Sequence, residues 1–343
     1  MIAPLRRLLD WPSEVRVDII EPVTTFGYFL SCEEYSPSEL LEQATLAEEA
    51  GFEALWISDH FHPWTTEQGE SPFVWSMIGA ISRVCDLPVM TAVTCPTIRI
   101  HPAVIAQAAA TSALLLGDGK FTLGVGSGEA LNEHVFGDTW PAADIRLEML
   151  EEAVDVIRKL WTGEDVTHRG KHYTVENARI WSRPDTPPKI SVSGFGPKAT
   201  DLAARIGDAY TTTTPDKELL QRFRDNAKPG ATANVGFKVA WADTEDEAID
   251  IAHRIWPNAG LPGEMSQVLP TVEHFEQAST LVTREQTKES VTAGSDTEQH
   301  VKAFQPYLDA GFEEIYVANM GPNYDPMLRA YGKEVLPRLR QSS

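Results

Sequence analysis

The chain has 343 residues, 42% of them hydrophobic and 23% charged, the balance of a globular protein, and no apolar run approaches the ~20 residues of a membrane span. Fifty acidic against 29 basic side chains give a net charge of −21, a surface that repels nucleic-acid backbones and that receives an anion only where basic groups or backbone dipoles offset the field. The three cysteines, Cys32, Cys85 and Cys95, are odd in number and widely spaced, which argues against a disulfide framework and for a reducing, cytoplasmic setting.

Residues 1–23 read as an N-terminal extension. Arg6 and Arg7 ahead of two leucines imitate a targeting signal, but Asp10, Glu14, Arg16 and Asp18 interrupt any apolar core. From residue 24 onwards apolar runs alternate with helical patterns. Thr24–Leu30 predicts the first strand and Ser38–Ala50 a helix, capped by Ser38 and stopped by Gly51. Ala54–Ser58 predicts the second strand, followed by helix over Pro72–Val84. Pro88–Thr94 is the third, with helix over 102–116, and Phe121–Ser127 the fourth, with a long helix over 144–162. His168–Val175 reads as a small hairpin turning at Gly170. Then come strand Lys189–Ser193 with helix Pro197–Ile206, strand Ala209–Thr213 with helix Asp216–Asn226, and strand Val235–Trp241 with helix Asp246–Ile255. Residues 256–294 form a long insertion before the eighth strand, Glu314–Ala318, and a last helix over 325–340. Eight strand–helix units in one run predict a single α/β domain over 24–343, a (β/α)8 TIM barrel with insertions. A barrel builds its site from the loops after its strands, so the insertion is a candidate substrate lid or wall.

The second strand runs straight into Ser58-Asp59-His60-Phe61-His62-Pro63-Trp64, which places titratable groups at the C-terminal mouth of the barrel. A histidine titrates near neutrality, so His60 can take a proton from an alcohol, with Asp59 as a neighbouring carboxylate and Trp64 on the same loop. His60 and His62 lack the further ligands of a metal site, so no metal is expected. After the third strand, Ala92-Val93-Thr94-Cys95-Pro96 suits a bulge or cis bond at the rim, with Cys95 lining the cavity and not acting as a nucleophile. Gly124–Glu133 (GVGSGEALNE) closes the fourth strand. Its GxGxG spacing and place in the chain differ from a dinucleotide fingerprint, and it puts Glu129, a candidate general acid, and Asn132 at the mouth. Ser193-Gly194-Phe195-Gly196-Pro197-Lys198 closes the fifth strand and opens a helix, a junction suited to a phosphate. His168 and His172 read as surface residues.

SDHFHPW, the helix start Pro102–Gln107, GVGSGEALNE and the Leu160–Tyr173 segment occur in an order that resembles the luciferase-like barrel superfamily, in the branch of the coenzyme F420-dependent glucose-6-phosphate dehydrogenases. The resemblance covers roughly residues 24–340. It implies a barrel that binds a deazaflavin accepting a hydride at C5, with FMN as the alternative cofactor. It implies Asp59 in the cofactor site, His60 as base, Trp64 holding the charged intermediate and Glu129 as acid with Asn132 nearby. Ala92, Val93, Thr94 and Cys95 would back the ring, and Ser193, Gly194, Phe195 and Gly196 would cradle the cofactor phosphate. Sugar-phosphate users of the family carry basic residues after the sixth strand and in the late insertion. Here the sixth loop offers Thr213 and Lys217, and 259–276 contains no lysine or arginine.

The expectation is therefore a cytoplasmic F420-dependent oxidoreductase acting on an alcohol, sugar or hemiacetal carbon, or on a carbonyl compound, other than glucose 6-phosphate. The resemblance also implies a homodimer, while the negative charge and the lack of a long apolar run argue against nucleic acid and membrane as partners. A sugar-6-phosphate dehydrogenase, an FMN-dependent monooxygenase and a non-catalytic cofactor-binding barrel are the rival readings.

Overall fold

A computed structural model describes residues 24–342; the predicted extension lies outside the described residues. Among the described residues there are eleven strands: β1 (Thr25–Leu30), β2 (Ala54–Ile57), β3 (Val89–Thr91), β4 (Phe121–Val125), β5 (Val166–Arg169), β6 (Thr174–Ala178), β7 (Lys189–Ser193), β8 (Ala209–Thr212), β9 (Thr232–Ala240), β10 (Thr292–Ala293) and β11 (Glu314–Met320). The main sheet runs β10-β9-β11-β1-β2-β3-β4-β7-β8, and β8 pairs back onto β9. Setting aside β10, which is attached to β9 alone, this closes an eight-stranded parallel barrel, as predicted. The antiparallel pair β5–β6 is the small hairpin on the long helix Ala143–Trp161.

The floor of the barrel explains two glycines. The rings of Trp56 on β2 and Tyr316 on β11 stack with centroids 4.3 Å apart. A Cβ on Gly27 would lie 2.2 Å from the Tyr316 ring, and one on Gly236 would lie 2.4 Å from Trp56. Only residues without side chains on β1 and β9 leave room for this stack, which plugs the barrel so that the ligand space lies above it.

Local chemistry moves several boundaries. The first helix starts at Pro37 and its cap is Ser36, in a capping box with Glu39, not Ser38. Ser36 lies just outside the helix and three residues before a glutamate, which meets both donors at the helix start. β3 stops at Thr91, since the chain turns through a cis peptide at Ala92–Val93. The last helix is broken by a π-turn at Tyr331–Val335. The insertion folds into short helices, among them Met265–Val268, Val272–Ser279 and Arg284–Ser290, before β10 attaches to β9. No helix among the described residues is long and apolar enough to cross a membrane.

Candidate active site

The backbone past β2 is fixed before its side chains act. Ser58 is buried; it receives the Cys32 N–H on Oγ at 2.8 Å and donates to Oε2 of Glu33 at 2.6 Å. This ties the ends of β1 and β2 together and aims His60 at Glu33, whose Oε1 lies 3.2 Å from Nε2. Glu129 Oε1 lies 3.9 Å from the same nitrogen. Trp64 meets His60 edge to face at 4.9 Å.

Asn132 links these groups. Its Oδ1 accepts the N–H groups of Phe61 at 2.7 Å and His62 at 2.9 Å. Its Nδ2 contacts Glu129 Oε1 at 2.6 Å and His60 Nδ1 at 2.8 Å. The loops after β2 and β4, predicted to face one cavity, are thus joined through one side chain.

Beneath them lies a buried ion cluster. Arg99 donates from Nη2 to Asp59 at 2.8 Å, and its Nε lies 3.6 Å from Glu133. Thr94 also donates to Asp59. The Asp59 side chain is fully buried and engaged by Arg99 and Thr94. Asp59 follows a fully buried strand, and burying a carboxylate there requires a cation beneath it. Glu133 accepts the Ile98 and Arg99 N–H groups, yet burial pushes its carboxyl up to about 7. Cys95 is buried and its thiol is raised well above the usual range by burial and by Glu129, Glu133 and Asp59, which suits a lining role.

The far wall comes from β9 and the insertion. Lys238, on β9, donates to Ser31 Oγ at 2.9 Å, with its ammonium 4.5 Å above the Phe29 ring and 3.8 Å above Trp256. Burial lowers its pKa, while Glu33 and Glu34 draw it back up. Glu34 accepts the Trp256 indole N–H and the Gly321 N–H, and burial raises its carboxyl to about 7. Phe275 of the insertion is buried edge-to-face against Trp64 at 5.0 Å. The Thr66 N–H donates to Glu276 at 3.0 Å, and Gln68 donates to the Ile255 carbonyl at 3.1 Å. The insertion is therefore a wall against the Trp64 loop.

Two rims suit a flat anionic cofactor. Val93, beside the cis peptide, abuts β4, where a Cβ on Gly126 would lie 2.7 Å from its methyl. Only glycine lets these rims meet, forming a floor next to Glu129. Further round, Gly194 O accepts the Tyr210 hydroxyl at 2.8 Å and fixes the loop after β7. A Cβ on Gly196 would meet nothing within 4 Å, and no side chain caps helix Pro197–Ile206, which leaves open space before first-turn N–H donors. Ser193 is half-buried beside them and Phe195 is exposed.

Other expected groups lie elsewhere. Lys198 is exposed and paired with Asp144 at 2.8 Å, so its charge is already partnered. Lys217 opens a helix on the outside and lines a surface groove with Asp201, Gln221 and Arg222, apart from His60; Thr213 is exposed. A lysine in the first turn after β8 could point either into the mouth or outward, and its helix turns it outward. His168 and His172 are largely covered, not surface residues: His168 Nε2 contacts Glu152 at 3.0 Å, and Glu152 also accepts the hairpin N–H groups. Glu33, Arg99 and Lys238 went unnoticed in the sequence, although two carboxylates just past β1 and one cation inside an apolar strand were signals of a mouth-facing site.

The profile of the luciferase-like monooxygenase family matches residues 24–314. The chain is 36% identical to the F420-dependent glucose-6-phosphate dehydrogenase of Microbacterium testaceum (strain StLB037), over 92% of this chain and 97% of that protein. It is 37% identical to the protein of that name from Kribbella flavida (strain DSM 17836 / JCM 10339 / NBRC 14399), over 92% and 98%. Among solved structures it resembles an F420-dependent secondary alcohol dehydrogenase in complex with an F420-acetone adduct, with a TM-score of 0.85, 28% identity and coverage of 92% of this chain and 99% of that one.

Proposed function

The chain belongs to the luciferase-like monooxygenase family, and from that premise we propose that it is an F420-dependent oxidoreductase moving a hydride between the carbon of a small neutral alcohol and the deazaflavin. The observation that carries this reading is the His60 ring set between Glu33 and Glu129 at the barrel mouth, beside the floor of Val93 and Gly126. The residues fit the cofactor: Val93 and Gly126 meet closely enough to back a ring, and the open space at Gly196, before a helix start, leaves room for the phosphate. When bound, F420 supplies a two-electron hydride acceptor or donor at C5.

This chain's residues do the rest. Val93, Gly126 and the Ser193–Gly196 loop position the ring and its tail. His60 and Glu33 handle the hydroxyl proton, and Trp64 closes over them with its edge on the imidazole. Glu129, held by Asn132, sits where an acid can serve the cofactor ring. Phe275 and Trp256 exclude water from the substrate side.

Charge favours a neutral substrate. Glu33, Glu34 and Glu129 surround the space, and its cations are engaged. Arg99 serves Asp59 and Glu133, and Arg146 serves the Pro141 carbonyl and Gln267 under the Trp140 ring. Lys238 lies between two aromatic faces. Arg284 and Lys288 pair with Asp246, Asp250 and Glu245. A phosphate dianion needs fixed cations facing it. The name of the curated relatives favours a second reading, oxidation of a sugar 6-phosphate, in which Lys238 would turn to the phosphate. Loss of F420 absorbance under anaerobic conditions, with secondary alcohols and with glucose 6-phosphate supplied in turn, decides between them. Bleaching by neutral alcohols supports the proposal, and bleaching by the phosphate alone overturns it.

A further inference from the structure

We infer that Glu33, and not the His60 imidazole, receives the substrate's hydroxyl proton, with Asn132 holding His60 in the tautomer that donates from Nε2. The inference rests on the oxidoreductase reading above.

It begins with an amide. Two backbone N–H groups point at one atom of the Asn132 side chain, from 2.7 and 2.9 Å, and only its oxygen can accept them. The other atom is therefore the NH2, with two hydrogens and two acceptors in reach: Glu129 Oε1 at 2.6 Å and His60 Nδ1 at 2.8 Å. His60 Nδ1 accepts and carries no hydrogen. The His62 carbonyl, 3.3 Å from the same nitrogen, would prefer a hydrogen there, but it is the longer contact and cannot turn the doubly fixed amide. The opposite nitrogen gives the same answer independently. Nε2 faces the Glu33 carboxylate at 3.2 Å, where a hydrogen is attractive and a lone pair repulsive. Neutral His60 is thus the Nε2–H form, and neither ring nitrogen has a lone pair free for an alcohol.

Glu33 has that capacity. Its Oε2 accepts from Ser58 and its Oε1 lies 3.2 Å from His60 Nε2, and a carboxylate offers about four acceptor positions. Burial raises its carboxyl, while the Lys238 ammonium and the Ser58 hydroxyl draw it back towards the ionised form. The charged and titratable groups around it are His60 and Asp59 past β2, Lys238 on β9, its neighbours Cys32 and Glu34, and Glu129.

An alcohol oxygen on the mouth side of this pair accepts from Nε2–H and points its own hydrogen at Glu33. The O–H bond breaks and its proton forms the O–H of Glu33. The C–H electron pair leaves as hydride to the deazaflavin, and the carbonyl oxygen stays on Nε2–H. His60 is a donor that orients the oxygen throughout.

Two measurements test this. Imidazole 15N NMR of the cofactor-free protein, with His60→Gln to assign the signal, should show His60 Nδ1 as the unprotonated nitrogen and Nε2 as the protonated one. The opposite tautomer overturns the inference. Then Glu33→Gln, Glu129→Gln and His60→Gln are compared in F420-reducing turnover, with F420 fluorescence titration confirming that each folds and binds. Glu33→Gln should cost about 10²–10⁴-fold in kcat, the range of general acid–base catalysis. His60→Gln keeps an N–H near the Nε2 position and should cost on the order of tenfold, about one hydrogen bond's worth. A larger loss in His60→Gln or Glu129→Gln than in Glu33→Gln overturns the inference. An inactive wild type, with any alcohol, defeats the oxidoreductase reading instead, and the NMR result stands apart from it.

Discussion

The two walls of the mouth hold their polar groups by different means. On the side of β2, β3 and β4, hydrogen bonds specify the atoms: Asn132 makes four contacts, and Asp59 is gripped by Arg99 and Thr94. On the side of β9 and the insertion, packing dominates: Lys238 lies between the faces of Phe29 and Trp256, and Phe275 presses on Trp64. Hydrogen-bond geometry tolerates little displacement, which suits groups that must meet a reacting atom. Aromatic packing admits changes of shape more readily, which suits a wall that selects a substrate. On the proposed function, chemistry and selection fall to different walls.

The largest expected effect breaks the bonded wall from beneath. Arg99→Met leaves Asp59 and Glu133 buried without their cation and should lower stability by about 3–5 kcal/mol. Chemical denaturation measures it; a loss below about 1 kcal/mol, the scale of exposed pairs, would remove the cluster's structural role. On the packed wall, Phe275→Ala should cost about 3 kcal/mol of local packing. Its distinctive signature is a raised substrate KM with unchanged F420 affinity. An equal loss in both would mean that the walls are not separate.

Glu133 gives a smaller, pH-dependent effect. Burial raises its folded carboxyl to about 7 from 4.5. Folding therefore takes up a proton, and the stability so gained is full below the unfolded value and disappears as pH rises through about 7. Thermal unfolding should show a decline of about 3 kcal/mol from this group between those limits. Glu133→Gln should flatten it, and an unchanged pH slope in that variant would refute the assignment. The smallest effect links the walls. Lys238 helps hold Glu33 ionised, so Lys238→Met should raise the Glu33 carboxyl and move the acid limb of kcat/KM to higher pH. Lys238→Arg should restore it. A limb that stays in place would show that the packed wall does not reach the chemistry.

The sequence made the barrel legible because each strand is a short apolar run with its own helix and stop, signals that need no tertiary information. His60, Trp64, Glu129 and Asn132 were legible because they follow strands two and four at the expected mouth. Glu33 was not, since Glu33 and Glu34 after β1 look like solvated charge until Ser58 and His60, from the next strand, are placed against them. Arg99 and Lys238 were hidden for the same reason: their partners lie on other elements. Lys198 and Lys217 misled in the reverse sense, with suitable chain positions but side chains directed to Asp144 and to an outer groove. Chain position predicts which residues reach the mouth level, whereas direction depends on neighbours that only the closed barrel supplies.

The central claim, hydride exchange between a neutral alcohol and F420 at the bonded wall, is tested most directly by anaerobic single-turnover reduction of protein-bound F420. With a small secondary alcohol, the oxidised-cofactor absorbance should fall in wild type and persist in Glu33→Gln at equal F420 occupancy. Bleaching by glucose 6-phosphate alone, or equal rates in the two proteins, would contradict it.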